Sequence, residues 1–216
     1  MVITYYGLAS YKVQFGDTII AFNPVAKESK YKGAKFGADL VMVSLNHLNY
    51  NGASECSYGS KVPFVVNGPG EYETKDIYIK GVGIEQSIAG ERMFNTIYSV
   101  LFEGVRLCHL GALNVKELSS SLIEQLGDID LLFVPIVNGK GELLTPAQAA
   151  DVANTLEAKI VVPMHVGENG TEKSLLSQFM KEFGSDGVKP LDKLTLRKKD
   201  FDGKEGEVVV LESVMR

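Results

Sequence analysis

Histidine is rare in this chain, with three in 216 residues, and cysteine is rarer, with two. Cys56 and Cys108 lie far apart and form no C-x-x-C pattern, so reduced thiols in a cytoplasmic protein are expected. Basic charge is not in excess: 22 Lys and Arg stand against 27 Asp and Glu, a net charge of −5. A broad nucleic-acid surface wants the opposite balance, so no nucleic-acid partner is expected. No apolar run approaches a membrane span, and "LLFVPIV" at 131–137 is strand-sized. The opening "MVITYYGLAS" lacks a basic segment followed by an apolar one, so neither a signal peptide nor a membrane association is expected. Walker spacing, the three-glycine dinucleotide fingerprint and a G-x-S-x-G elbow are also missing. "GPGEYE" and "NGKGELL" are therefore assigned no phosphate-binding role.

What remains is a globular composition, 45% hydrophobic and 23% charged. It is long enough to bury a core without disulfides or a structural metal. The first 110 residues read as strands and turns. "YKVQFGDTIIAFNP" forms a hairpin at Gly16-Asp17, Glu103-Gly104 makes another, and "DLVMVSL" is a strand buried on both faces. The second half alternates. Leu118, Leu122, Ile123 and Leu126 fall at helical spacing, and Ser119 to Ser121 read as part of that helix. Thr145 caps a helix with Pro146 at its first position. Thr171 caps another, and "EVVVLE" closes the chain as a strand. No linker, repeat or low-complexity tract interrupts residues 1–216. One domain with sheets inside and helices outside is the expectation.

The stretch "VSLNHLNYN", Val43 to Asn51, follows a buried strand and gathers a histidine, three asparagines and a tyrosine. On its own, His47 reads as a solvated or capping loop residue more readily than as a ligand.

In order along the chain, "ITYYGLASYKVQF", "IIAFNP", "ADLVMVSLNHLNYNG", "NGPGEYE", "NTIYSV", "LCHLGALN", "LLFVPI…LTPAQAA" and "KIVVPMHVG" resemble one family. It is the zinc-dependent hydrolase branch of the metallo-β-lactamase-fold superfamily, which includes the ascorbate-6-phosphate lactonase-like proteins. The resemblance implies an αββα four-layer sandwich of the α+β class, with two mixed sheets flanked by helices.

It also implies a site from which ligands have gone. Where the family has H-x-H-x-D-H, this chain has Leu45, His47, Asn49 and Tyr50. Ala112 stands where an aspartate bridges two metals, Asn23 where the family has Asp-Pro, and Gly7-Leu8-Ala9 where it has Gly-His-Ala/Ser. No histidine falls near Gln86 to Ala89. His47 and His165 alone survive at ligand positions, and His109 is read as a structural hydrogen-bonding group. Asn23, Leu45, His47, Asn49, Tyr50, Glu71, Ala112 and His165 are thus the candidates to line one pocket, with His47 and His165 as the remaining metal-ligand candidates and no catalytic residue assigned. Tyr50 is read as filling the space of a lost ligand and zinc.

A dinuclear site needs more ligands than remain. The expected function is that of a non-catalytic binding or interaction module, with no cofactor and with an unknown small ligand or protein as partner. One alternative is a weakened mononuclear hydrolase of a phosphoester or lactone, with zinc or another divalent ion held at low occupancy by His47 and His165. Another is metal-free acid–base chemistry by His47, His165 and Tyr50.

Overall fold

Period-two alternation builds the first sheet. In β1 (Val2–Tyr5) Ile3 and Tyr5 are buried, and in β2 (Tyr11–Phe15) Tyr11 and Val13 are, while Lys12 and Gln14 face the other way. β3 (Thr18–Phe22), β4 (Leu40–Met42) and β5 (Phe64–Val66) complete the early strands. β6 (Gly70–Thr74), the long pair β7 (Ile77–Ile88) and β8 (Glu91–Phe102), and β9 (Val105–His109) follow as a meander. From there helices and strands alternate: α1 (Ser120–Leu126), β10 (Leu131–Pro135), α2 (Pro146–Leu156), β11 (Ile160–Met164) and α3 (Gly170–Glu182). β12 (Leu194–Thr195) and β13 (Glu207–Val208) are short. This computed structural model describes residues 1–88, 90–137, 143–166, 170–185 and 187–215, with backbone alone at 170–173.

The strands form two mixed sheets, ordered β12-β1-β2-β3-β4-β5 and β13-β11-β10-β9-β8-β7-β6. In the first, β12, β1, β2 and β3 pair antiparallel, and β4 and β5 add on in parallel. In the second, β6 to β9 pair antiparallel, while β10, β11 and β13 run parallel to β9. The architecture is an α+β sandwich of two mixed sheets, as the resemblance implies. Aromatic rings fill the space between the sheets. Tyr11 lies 4.7 Å from Tyr5 and 4.5 Å from Phe133, and Phe22 stacks on His109 at 5.0 Å.

The described helices gather on the second sheet. α1 packs on β7, α2 on β10 and α3 on α2. The other side of the first sheet is covered by the 3-10 turn Ala53–Cys56 and by Phe36 and Ala38 of the β3–β4 segment, over a small cluster that includes Ala21, Val41 and Val43. Thr145 caps α2 in a full capping box with Gln148, with Pro146 at the first position, as read from the sequence. Ser119 is the N-cap of α1, its Oγ accepting from Leu122 N at 3.2 Å. Thr171 lies inside α3 rather than ahead of it. The closing strand is shorter than "EVVVLE": only Glu207 and Val208 join the ladder, and Leu211 makes an isolated bridge to Leu191. Most of "NGKGELL" lies outside the described residues.

Candidate functional site

The candidate residues follow the carboxyl ends of parallel strands, where α/β-type sheets present their clefts. Asn23 follows β3, Leu45 to Tyr50 follow β4, Ala112 follows β9 and His165 follows β11. Two cross-sheet ties hold the β4 loop in place. Tyr98 Oη donates to Val43 O at 2.7 Å, and Thr96 N donates to Ser44 O at 2.8 Å.

The floor of the site is built from neutral amides. Asn23, 1% exposed, accepts from Ser44 N and donates to Ser44 Oγ, both at 2.8 Å. Asn95 Oδ1 accepts from Ala112 N at 2.8 Å, and its Nδ2 donates to Leu110 O at 2.9 Å. Gln86 Nε2 donates to Ala112 O at 2.6 Å, while its Oε1 accepts from Asn114 N at 3.2 Å. Gly111 lies between these groups, at φ +64, and a Cβ there would come within 2.4 Å of Asn95 Oδ1 and 2.6 Å of Ser44 Oγ. Among the described residues, no buried side-chain nitrogen or oxygen is left without a partner.

Sequence reading missed Ser44, Gln86 and Asn95 as members of this floor. Ser44 lies just past β4 and Gln86 between the polar Glu85 and Ser87, so only Asn95, at the start of the buried run of β8, carried a signal.

Tyr50 and His165 form the other part. Tyr50 is 6% exposed, and its hydroxyl lies 3.4 Å from His165 Nε2. Its ring stands between the two histidines, with centroids 6.2 Å from His47 and 6.1 Å from His165. His47 is exposed, and its Nδ1 accepts from Asn49 N at 3.2 Å. Asn49 Oδ1 in turn accepts from Ser29 Oγ at 2.8 Å. Leu45 is buried, its carbonyl accepting from His47 N. Glu71 does not reach this place. It stands on the edge strand β6, its side chain 78% exposed and paired with Lys80 at 3.3 Å.

Although part of its edge meets solvent, His165 is enclosed enough that burial pushes its pKa down to about 4. His109 is fully enclosed, and burial pushes it down to about 3 against the opposing pull of its hydrogen bond to Ala9. Its Nδ1 accepts from Gly111 N, so Nε2 carries the proton and donates to Ala9 O. His109 is thus a neutral structural group. Both cysteines are buried, which pushes their thiols up to about 12 and makes them poor nucleophiles.

Backbone strain gathers at the same corner. Leu8, Asn23 and His165 all have left-handed φ, at +51, +44 and +61, and His165 N donates to Leu8 O at 2.8 Å. Such conformations cost of order 1–3 kcal/mol each in residues other than glycine, and they tend to collect at functional sites.

A family profile described as a beta-lactamase superfamily domain matches residues 2–165. The chain belongs to that superfamily. Its fold is similar to that of a Thermotoga maritima protein assigned to the Zn-dependent hydrolases of the metallo-β-lactamase superfamily, at 29% identity and a TM-score of 0.73, with 98% of each chain covered. It is similar in fold to a protein of Parabacteroides distasonis assigned as a metal-dependent hydrolase, at 18% identity and a TM-score of 0.66, covering 96% of this chain and 91% of that one. The metallo-β-lactamase fold protein YhfI of Bacillus subtilis gives 13% identity and a TM-score of 0.61, with 98% and 96% covered. Comparison with curated proteins gives no match.

Against that family background the donor inventory matters. Among the described residues, no group of three or more His, Cys, Asp or Glu is placed to hold a metal ion. Nor is any described helix long and apolar enough to cross a membrane.

Proposed function

We propose that this metallo-β-lactamase-fold chain has lost its dinuclear metal site and works as a non-catalytic binding or interaction module. The observation that carries this reading is the Tyr50 hydroxyl 3.4 Å from His165 Nε2. A phenol there occupies space that a ligand and its ion would need. Catalytic zinc takes three protein ligands and keeps one position open. Here His47 could offer only Nε2, its Nδ1 accepting from Asn49 N, while Asn23 spends both amide atoms on Ser44 and Ala112 has no ligand atom in its side chain. This donor set does not fit zinc on the family plan.

The neutral floor supports the same reading. Family aspartates left without a cation would be buried unpaired charges, at a cost of several kcal/mol each. Asn23, Asn49 and Ala112 carry no charge. The two buried, unpaired cysteines support a reducing compartment, the cytoplasm.

Inorganic mass spectrometry of protein grown with added zinc, manganese and iron tests the proposal. Near-zero metal supports it. One ion per chain, lost in His47→Ala, favours a weakened mononuclear hydrolase of a phosphoester or lactone, and two per chain overturns the ligand reading.

A further inference from the structure

The segment between β3 and β4 contains "KESKYKGAK", four lysines in nine residues, within a chain of net charge −5. Lys27, Lys30, Lys32 and Lys35 line one cleft, together with Tyr31 and Glu55. The segment's backbone is tied to the loop that carries Tyr50. Ala26 N donates to Leu48 O at 2.9 Å, Gly52 N to Pro24 O at 2.7 Å, and Ser29 Oγ to Asn49 Oδ1 at 2.8 Å. The contact is close: a Cβ at either Gly33 or Gly52 would lie 2.4 Å from Val25 O. These contacts fix the backbone that carries the four lysines.

Its charge is only partly compensated. Lys35 pairs with the buried Glu55 at 3.3 Å, and Lys27 reaches Glu28 at 3.8 Å. Lys30 and Lys32 make no ion pair among the described residues, and Lys30 Nζ lies 5.1 Å over the Tyr31 ring. Neighbouring like charges repel, and an anion between them removes that repulsion. Ammonium groups act as point charges toward phosphate oxygens. The cleft volume, about 330 Å³, is that of a small-molecule site.

We propose that this cleft binds a small, multiply charged phosphorylated metabolite. It shares no lining residue with Tyr50 and His165, so the proposal stands whether or not those residues hold a metal.

Calorimetric titration of the full chain with inorganic pyrophosphate, at low and high ionic strength, tests it. Saturable one-to-one binding is expected, about tenfold weaker in Lys30→Gln/Lys32→Gln and weaker for every form at high salt. The control Lys189→Gln/Lys193→Gln, which neutralises exposed lysines elsewhere, should bind as the parent does. Lys32→Glu alone should weaken binding while leaving the melting temperature near the parent's. No saturable binding by the parent, or equal losses in the cleft and control variants, overturns the proposal. A single-stranded oligonucleotide that binds more tightly than pyrophosphate through the same lysines overturns it in favour of a polynucleotide surface.

Discussion

The Tyr50 hydroxyl and His165 Nε2 stand 3.4 Å apart, one on the loop after β4 of the first sheet and the other just after β11 of the second. The contact closes the edge of the sandwich between the two sheets. Tyr50 is buried with a large ring, so most of its contribution should come from packing. Tyr50→Phe is expected to cost about 1 kcal/mol and Tyr50→Ala about 3–5 kcal/mol, read from urea denaturation at neutral pH. Equal losses in the two variants would place the contribution in the hydroxyl instead.

Rebuilding the family's ligands tests the shape of the loop. The combined variant Leu45→His, Asn49→Asp, Tyr50→His and Ala112→Asp keeps His47 and His165 in place. Without zinc it should melt below the parent, because added carboxylates lack a cation. With zinc its melting temperature should rise, since an ion that binds only the folded state stabilises it. The parent should respond little. A variant that folds but ignores zinc shows that the loop has left the family's geometry, and strong stabilisation of the parent by zinc refutes loss of the site.

Acid should weaken the fold through its enclosed histidines. Burial lowers His165 to about 4 and His109 to about 3 from an ordinary value of 6.5. Between those values the unfolded chain binds protons that the folded chain does not, so stability rises with pH there. The contribution is fully present above about 6.5 and is lost as pH falls through the window toward 3 to 4. Each group adds at most about 1.4 kcal/mol per pH unit to the slope. Denaturation midpoints from pH 7 to pH 5 should therefore fall in the parent and fall less steeply in His109→Gln. Asp39 acts lower on the scale. Burial raises its pKa, but hydrogen bonds from Lys61, Lys75 and Ile19 outweigh this and hold it at about 2, so its contribution goes only below the ordinary carboxylate range.

Gly111→Ala should be among the most disruptive single methyl additions. The new Cβ would press on Asn95 Oδ1 and Ser44 at 2.4–2.6 Å, at a left-handed φ of +64. Crowding and backbone strain together suggest about 3 kcal/mol or more. A midpoint within error of the parent would show that the amide floor has room to move.

Much of the sandwich was legible because its signals are local. "LLFVP" and "IVVPM" are apolar throughout since β10 and β11 are buried on both faces. Thr145 and Pro146 announce α2 because a helix start needs a side-chain acceptor and tolerates a missing N–H. The end of the chain was less legible. Val209 bonds Val161, but the ladder stops at Val208, a matter of what neighbours β11 rather than of strand propensity.

Within the site, residue types carried part of the answer. Three histidines, with Asn23, Asn49 and Ala112 at their positions, limit the imidazole ligands a metal could find. Glu71 looked equally eligible, and its edge strand turns it to solvent and Lys80. Gln86 and Asn95 were not among the candidates, and they bond the backbone of 110–114, just past β9 of the same sheet.

The sequence by itself determined most of the strand and helix pattern, the α2 cap and the scarcity of histidine and cysteine, because each depends on residue chemistry and near neighbours. Only the tertiary structure decided that Tyr50 meets His165 and that amides line the floor. Those pairings join segments far apart in the chain, and strand register sets which face each side chain takes. A slip of one residue would reverse every face.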